Sequence, residues 1–259
     1  MTPSVTTPPH KIVYPESDGL PIADNTKQYR WIVKVQGGID ALFKDNPNVF
    51  VAGDLLWYPV EGDNLTRAAP DAMVAFGRPK GDRRSYRQWE EGGVAPQVVF
   101  EILSPGNRFA EMNRKFAFYE RFGVEEYYIY DPDRHTLDGS IRKGEKLVEI
   151  PEMNGWTSPR LGIRFEMGGE ELVIHRPDGK PFRTFVEIAE DAEEAERRTA
   201  AAEKRIEEAE QRSMEDRLAR VQAQKRADHA EQRAEDSKKQ AEKFAEQLRK
   251  LGVDPDQLK

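Results

Sequence analysis

The apolar positions of the chain change their spacing several times, and each change marks an element. Between residues 27 and 44 they recur at helical intervals (Tyr29, Ile32, Val33, Ile39, Ala41, Leu42) behind the cap-forming Asp24-Asn25-Thr26. This predicts an amphipathic helix, weakened or kinked at Gly37-Gly38. Short, dense runs rich in β-branched and aromatic residues follow at 49–58, 70–76 and 97–104, set apart by the turn signals Asn46-Pro47-Asn48 and Glu61-Gly62-Asp63-Asn64. They predict three strands. Helical spacing returns in Phe109, Met112, Phe116, Tyr119 and Phe122, terminated by Gly123, before the aromatic strand Tyr127-Tyr128-Ile129-Tyr130, which Asp131-Pro132 stops. Residues 77–96 read as a long polar connection. The order helix, three strands, helix, strand is that of an α/β layered core in which a crossover helix joins parallel strands. Short alternating pieces at 136–139, 147–150 and 172–174 read as β-hairpins extending the same domain, with Trp156 packing them onto the core.

Past residue 186 the pattern lengthens. Steps alternating four and three, from Ile188 through Ala192, Ala195, Thr199, Ala202 and Ile206 to Phe244, Leu248 and Leu251, keep one register over nine heptads, broken by Asp216 and Arg220. This is a long charged helix, coiled-coil-like, with a narrow seam of alanine. Alanine removes little apolar area from water, so self-association depends on Phe244, Leu248 and Leu251. Composition agrees: residues 187–259 hold 20 acidic and 16 basic residues, while residues 1–186 hold all four Trp, all eight Tyr and eleven of the twelve Phe. The expected organisation is a flexible arm over 1–24, a globular domain over 25–186, the helix over 187–251 and a tail over 252–259, with a homodimer formed through the helix.

The net charge of −7 divides into about −3 and −4 between these parts, so any nucleic-acid contact must use local basic patches. The absence of cysteine excludes disulfides, thiolate zinc sites and a cysteine nucleophile. His10, His135, His175 and His229 form no i,i+4 pair, which argues against histidine-bound zinc. Neither a signal-like start nor a run of 18 apolar residues occurs, so a cytoplasmic protein that does not span a membrane is expected. No Walker loop, Gly-x-Gly-x-x-Gly or Ser-His-Asp order is present, which sets aside NTPase, dinucleotide-binding and serine-hydrolase readings.

The chemistry lies in acids set inside apolar strands. Asp71 opens Pro70-Asp71-Ala72-Met73-Val74-Ala75-Phe76, and Glu101 interrupts Val98-Val99-Phe100-Glu101-Ile102-Leu103. A buried carboxylate needs a cation, a metal or a hydrogen-bond donor. If the two strands pair antiparallel, both acids fall at one end of the sheet and converge on one Mg²⁺, with the Ile102 carbonyl as a third oxygen ligand. Lys115, on the following helix, would orient the attacking water or neutralise a phosphate oxygen. Taken singly, Asp71 also reads as a strand cap, Glu101 as an outward-facing residue and Lys115 as a surface lysine.

Pro70-Asp71, Val98-Val99-Phe100-Glu101-Ile102-Leu103-Ser104-Pro105, Asn113-Arg114-Lys115 with Tyr119, and Gly123-Val124-Glu125-Glu126-Tyr127-Tyr128-Ile129-Tyr130-Asp131-Pro132 resemble the Uma family of restriction-endonuclease-like proteins, a branch of the PD-(D/E)XK nuclease superfamily. The resemblance runs from about residue 25 to 186. It implies a mixed central sheet flanked by helices, and a Mg²⁺-dependent (or Mn²⁺-dependent) endonuclease acting on DNA with Asp71, Glu101 and Lys115 as catalytic residues. The superfamily places its lysine two residues after the strand glutamate, where this chain has Leu103, and the resemblance implies that the role has moved to Lys115.

Arg108 and Arg114 stand close enough in sequence to the proposed metal to hold a phosphate. Arg78, Lys80, Arg83, Arg84 and Arg87, interleaved with Tyr86 and Trp89, read equally as a phosphate-contacting flap and as a solvated loop. Asp54 and Gln36 are candidates for the site edge, though a structural role suits each better. A competing expectation is a catalytically inactive nuclease-like scaffold displayed on a helical oligomerisation arm.

Overall fold

The computed structural model describes residues 12–107 and 109–252, and the chain divides into two units, Met1–Ala189 and Glu190–Lys259. Residues 1–11 of the expected arm and 253–259 of the expected tail lie outside the described residues. In the first unit, the Asn25 side chain accepts from the Gln28 N–H at 2.9 Å and so caps α1 (Thr26–Leu42). Its buried stripe is Gln28, Trp31, Ile32, Val35 and Ile39, whereas Tyr29 and Val33, expected on it, are exposed. The helix continues unbroken through Gly37-Gly38. Gly38 serves packing instead: a β-carbon there would overlap the Phe182 ring, while Gly37 faces open space.

The remaining elements are β1 (Val49–Ala52), β2 (Trp57–Tyr58), β3 (Ala72–Phe76), β4 (Tyr86–Arg87), β5 (Val98–Ile102), α2 (Phe109–Arg121), β6 (Glu126–Asp131), β7 (Thr136–Lys143), β8 (Lys146–Glu149), β9 (Arg164–Glu166), β10 (Val173–His175) and α3 (Phe185–Lys250). A six-stranded mixed sheet has the order β1-β3-β5-β6-β7-β8. Within it β5 and β6 run parallel across the α2 crossover, and the other neighbours are antiparallel. The α/β architecture with a mixed central sheet flanked by helices is the one the sequence implied.

Two corrections concern the first strands. Residues 49–58 are not one strand: the backbone turns out of the sheet at Asp54 (φ 48°), whose N–H binds the Pro70 carbonyl at 3.0 Å. The chain re-enters extended structure at β2, which pairs in parallel with β4. Residues 77–96 are accordingly an organised segment, with Tyr86 fully buried and Glu91 accepting from both Arg78 and Arg83. On α2, Phe109 occupies the first position and is exposed; the packed face carries Phe116, Tyr119 and Phe122.

Alternation along the strands sorts side chains between two cores. Val98, Phe100 and Ile102 of β5, with Ala72 and Val74 of β3, pack against α1 and the segment from Ile150 to Phe182. Val99, Met73 and Ala75 point to the other face, with Trp57 of β2 and Tyr119 of α2. Covering on both faces makes β5 buried at every position.

α3 opens with a capping box in which the Thr184 N–H binds the Glu187 carboxylate at 2.6 Å and Thr184 Oγ1 accepts from the Glu187 N–H at 3.3 Å. From Glu190 the second unit is a helix with no buried residue; Ile206, Met214, Leu218, Val221, Phe244 and Leu251 are all exposed. Pairs one turn apart, such as Glu235–Lys239 at 3.0 Å and Glu246–Lys250 at 2.9 Å, support it locally. Among the described residues no helix is long and apolar enough to cross a membrane.

Candidate active site

The β3–β5 register pairs Ala72 with Phe100, and one step further it sets Asp71 opposite Glu101. By parity both acids share the face of Met73 and Val99, the face covered by α2. Glu101 therefore does not reach solvent: it is 2 % exposed. Its charge is held by α2. Lys115 Nζ donates to Oε2 at 2.7 Å and Tyr119 Oη donates to Oε1 at 2.5 Å. Lys115 and Tyr119 are four residues apart and so share one helix face, which turns the lysine inward to the buried acid.

Asp71 is anchored from the neighbouring strand, its Oδ2 accepting the Ile102 N–H at 2.6 Å. Burial, and then the nearby charge of Glu101, push its carboxyl up to about 8, with Lys115 and the Ile102 N–H offsetting part of the effect. For Lys115, burial disfavours the charge, but Glu101 and Asp71 outweigh it and hold the amine above the ordinary lysine value. Asp54 also stands in this field: burial and then Asp18 raise its carboxyl, Lys115 lowers it and Glu101 raises it.

The group opens to a cleft of about 550 Å³ whose lining includes Asp54, Asp71, Arg67, Arg114, Lys115 and Phe118. Asp18 to Asp24 of the segment before α1 form one wall. Among the described residues no three His, Cys, Asp or Glu side chains gather into a metal-holding cluster. The donors available are two carboxylates and the Ile102 carbonyl, which already accepts from Gln28 Nε2 at 2.8 Å. This set fits Mg²⁺: it is all hard oxygen, and Mg²⁺ is commonly held by one or two carboxylates with the rest of its shell water. Two facing acids, one with its proton affinity raised by burial and then by the other, are also a site whose repulsion a cation would relieve.

Lys115 thus meets Glu101 directly, and Asp71 stands opposite Glu101 on the Ile102 N–H, while the Ile102 carbonyl is bound to Gln28. Arg114 is exposed at the cleft edge, and Arg108 lies outside the described residues. Arg83 is turned into the protein, binding Glu91 at 2.6 Å with its guanidinium 3.8 Å from the centre of the Phe50 ring; Arg84 extends outward and pairs with Glu16 at 2.6 Å. Lys80 pairs with Asp40 and Arg87 with Glu90. Gln36 packs beside Gly53. Gln28, not Gln36, is the α1 residue that touches the site. Its sequence signal was the spacing Asn25-Thr26-Lys27-Gln28, a cap followed by glutamine at the third helical position. Tyr119 as a partner of Glu101 was signalled by its four-residue spacing from Lys115, and Arg67 carried no signal.

Comparison with curated protein sequences finds no match. Among solved structures, the chain resembles one titled a putative nuclease belonging to DUF820 from Anabaena variabilis, with 17% identity and a TM-score of 0.39 over 52% of this chain and 72% of that one. Comparison with protein families matches residues 30–168 to Uma2, described as "Putative restriction endonuclease". That span is 139 of 259 residues, more than half, and it contains both acids, Lys115 and Tyr119. The chain belongs to the Uma2 family.

Proposed function

We propose that the chain is a Mg²⁺-dependent endonuclease, with Mn²⁺ an alternative ion, that hydrolyses DNA phosphodiester bonds. The observation that carries this reading is the buried Glu101, opposite Asp71 and bound by Lys115 at 2.7 Å, behind a cleft that Asp71 and Lys115 line. Asp71, Glu101 and the Ile102 carbonyl would hold the ion. Bound there, a divalent cation supplies Lewis-acid stabilisation of charge on the scissile phosphate and favours deprotonation of the attacking water. The chain's residues do the rest. Lys115, kept protonated by Glu101 and then Asp71, offers a cation to a phosphate oxygen beside the cleft. The Asp71–Ile102 bond ties the two strands so that the acids keep their separation. Arg114 and Arg67 line the cleft where the adjoining backbone phosphates would pass; Arg108, Arg83 and Arg84 are further candidate contacts.

The test is cleavage of plasmid and linear DNA by purified protein with and without Mg²⁺ or Mn²⁺, repeated for Asp71→Ala and Glu101→Ala. Divalent-dependent nicking that both variants lose is expected; cleavage surviving in both would remove the assignment. A second reading, a nuclease-like binding protein carried on a helical arm, is favoured by α3, which leaves its apolar residues exposed as a surface for a second copy. DNA binding without cleavage across substrates would favour it. A homodimer through α3 is part of either reading, and sizing the protein with and without residues 190–259 tests it: an unchanged oligomeric state would refute that part.

A further inference from the structure

We propose that Tyr119 is a positioning residue: by binding one oxygen of Glu101 it leaves the other as a single ligand oxygen, and so sets which divalent cation the site accepts. This rests on the reading of Asp71 and Glu101 as metal ligands. The hydroxyl is placed by its ring, not by Glu101. Tyr119 is fully buried, parallel to the Trp57 ring at 6.4 Å, with Tyr127 at 5.0 Å and Phe118 at 5.7 Å. Packing by three aromatic neighbours fixes Oη before any carboxylate is considered. Its 2.5 Å bond to Oε1 is short, as expected of a hydroxyl donating to an ionised acceptor. Lys115 takes Oε2 from the same helix face at 2.7 Å.

The two oxygens of Glu101 are therefore unequal. Oε1 is committed to an aromatic core, while Oε2 meets a long, adaptable amine beside the cleft. Turning both oxygens to one ion would break the tyrosine bond and leave a buried hydroxyl unpaired, which is unfavourable. One-oxygen binding in a rigid, compact oxygen set suits Mg²⁺ and Mn²⁺, which keep near-octahedral shells. Ca²⁺ takes more ligands at longer range and readily uses both oxygens of a carboxylate. Groups that orient a metal ligand in this manner typically govern affinity by about 10- to 100-fold.

The neighbouring core supplies its own control. Tyr127 carries a buried hydroxyl with no hydrogen-bond partner, in the same aromatic cluster. Removing it keeps the ring and breaks no hydrogen bond, while the hydroxyl stands, like that of Tyr119, in the field of Glu101 and Asp71.

The experiment is a titration of the full-length protein with Mn²⁺, followed by paramagnetic resonance or calorimetry, with Ca²⁺ as competitor and thermal unfolding in EDTA to confirm folding. Tyr119→Phe is expected to weaken Mn²⁺ about 10- to 100-fold and to narrow the preference for Mn²⁺ over Ca²⁺; Tyr127→Phe should leave both unchanged. Replacing Tyr119 by 4-aminophenylalanine, which keeps the ring and an N–H donor, should restore Mn²⁺ affinity, and this comparison with wild type serves even if the Phe variant does not fold. Unchanged Mn²⁺ affinity in folded Tyr119→Phe, an equal loss in Tyr127→Phe, or no restoration by the amino analogue would each overturn the inference. So would a wild-type chain that binds no Mn²⁺. Wild-type Mn²⁺ binding that Tyr119→Phe weakens, without cleavage of any nucleic acid, would sink the endonuclease reading while leaving this one standing.

Discussion

Asp71→Asn should make the metal-free protein more stable, and increasingly so as the pH rises. The Asp71 carboxyl sits near 8 in the folded chain against 3.8 for an unperturbed group, chiefly through burial and then through Glu101. Between those values the unfolded chain has given up a proton that the folded chain keeps, so stability falls as pH rises through the window and levels off above about 8. About four pH units at about 1.4 kcal/mol each give an upper bound on the order of 5 kcal/mol. Asparagine resembles the neutral form and its carbonyl still accepts the Ile102 N–H, so the variant escapes this cost. Urea unfolding in EDTA from pH 5 to 9 is the assay. The stability gap between variant and wild type should be small at pH 5, widen to pH 8 and then hold. A gap that does not change with pH, or a variant less stable than wild type at pH 8, would refute the reasoning. Mg²⁺ should stabilise wild type and not the variant, since binding to the folded state alone raises its stability by mass action.

Lys115→Met leaves Glu101 buried with a single donor and should destabilise the fold by about 3–5 kcal/mol; adding Glu101→Gln should recover most of that loss in urea titrations. Gly38→Ala drives a methyl group into the Phe182 ring and should lower the midpoint of thermal unfolding by an amount corresponding to about 1–3 kcal/mol, whereas Gly37→Ala, facing open space, should raise it through about 0.5–1 kcal/mol of helix propensity.

Much of the site was legible because it depends on parity and spacing. Once the register sets Ala72 opposite Phe100, Asp71 and Glu101 share a face, and a helix between parallel strands must lie over one face of the sheet. The α2 apolar spacing was visible too, and Lys115 was expected at the site; that Tyr119 joins it on Glu101 was not, since an aromatic on an apolar stripe reads as core until its hydroxyl has a buried acid to meet. The turn at Asp54 was hidden for a different reason: residues 49–58 are apolar on both sides of it, and a left-handed backbone at one aspartate leaves no trace in that pattern. The arginines of 78–87 showed their number but not their partners. Glu91, which holds two of them, is one acidic residue among several in that stretch, and side-chain pairing across a loop has no period to read.

Placing amine and carboxylate on separate elements bears on changes in chain length. Lys115 follows Glu101 by 14 residues, and an α-helix turns about 100° per residue. Deleting or inserting one residue early in α2 would swing the ammonium away from the sheet and bring a neighbour such as Arg114 or Phe116 round in its place. Tyr119 and Phe116 would turn with it, so the face of β5 that α2 covers would lose its packing and Glu101 its second donor. A single codon gained or lost early in α2 thus removes the Lys115–Glu101 pair and the packing of α2 on the sheet together.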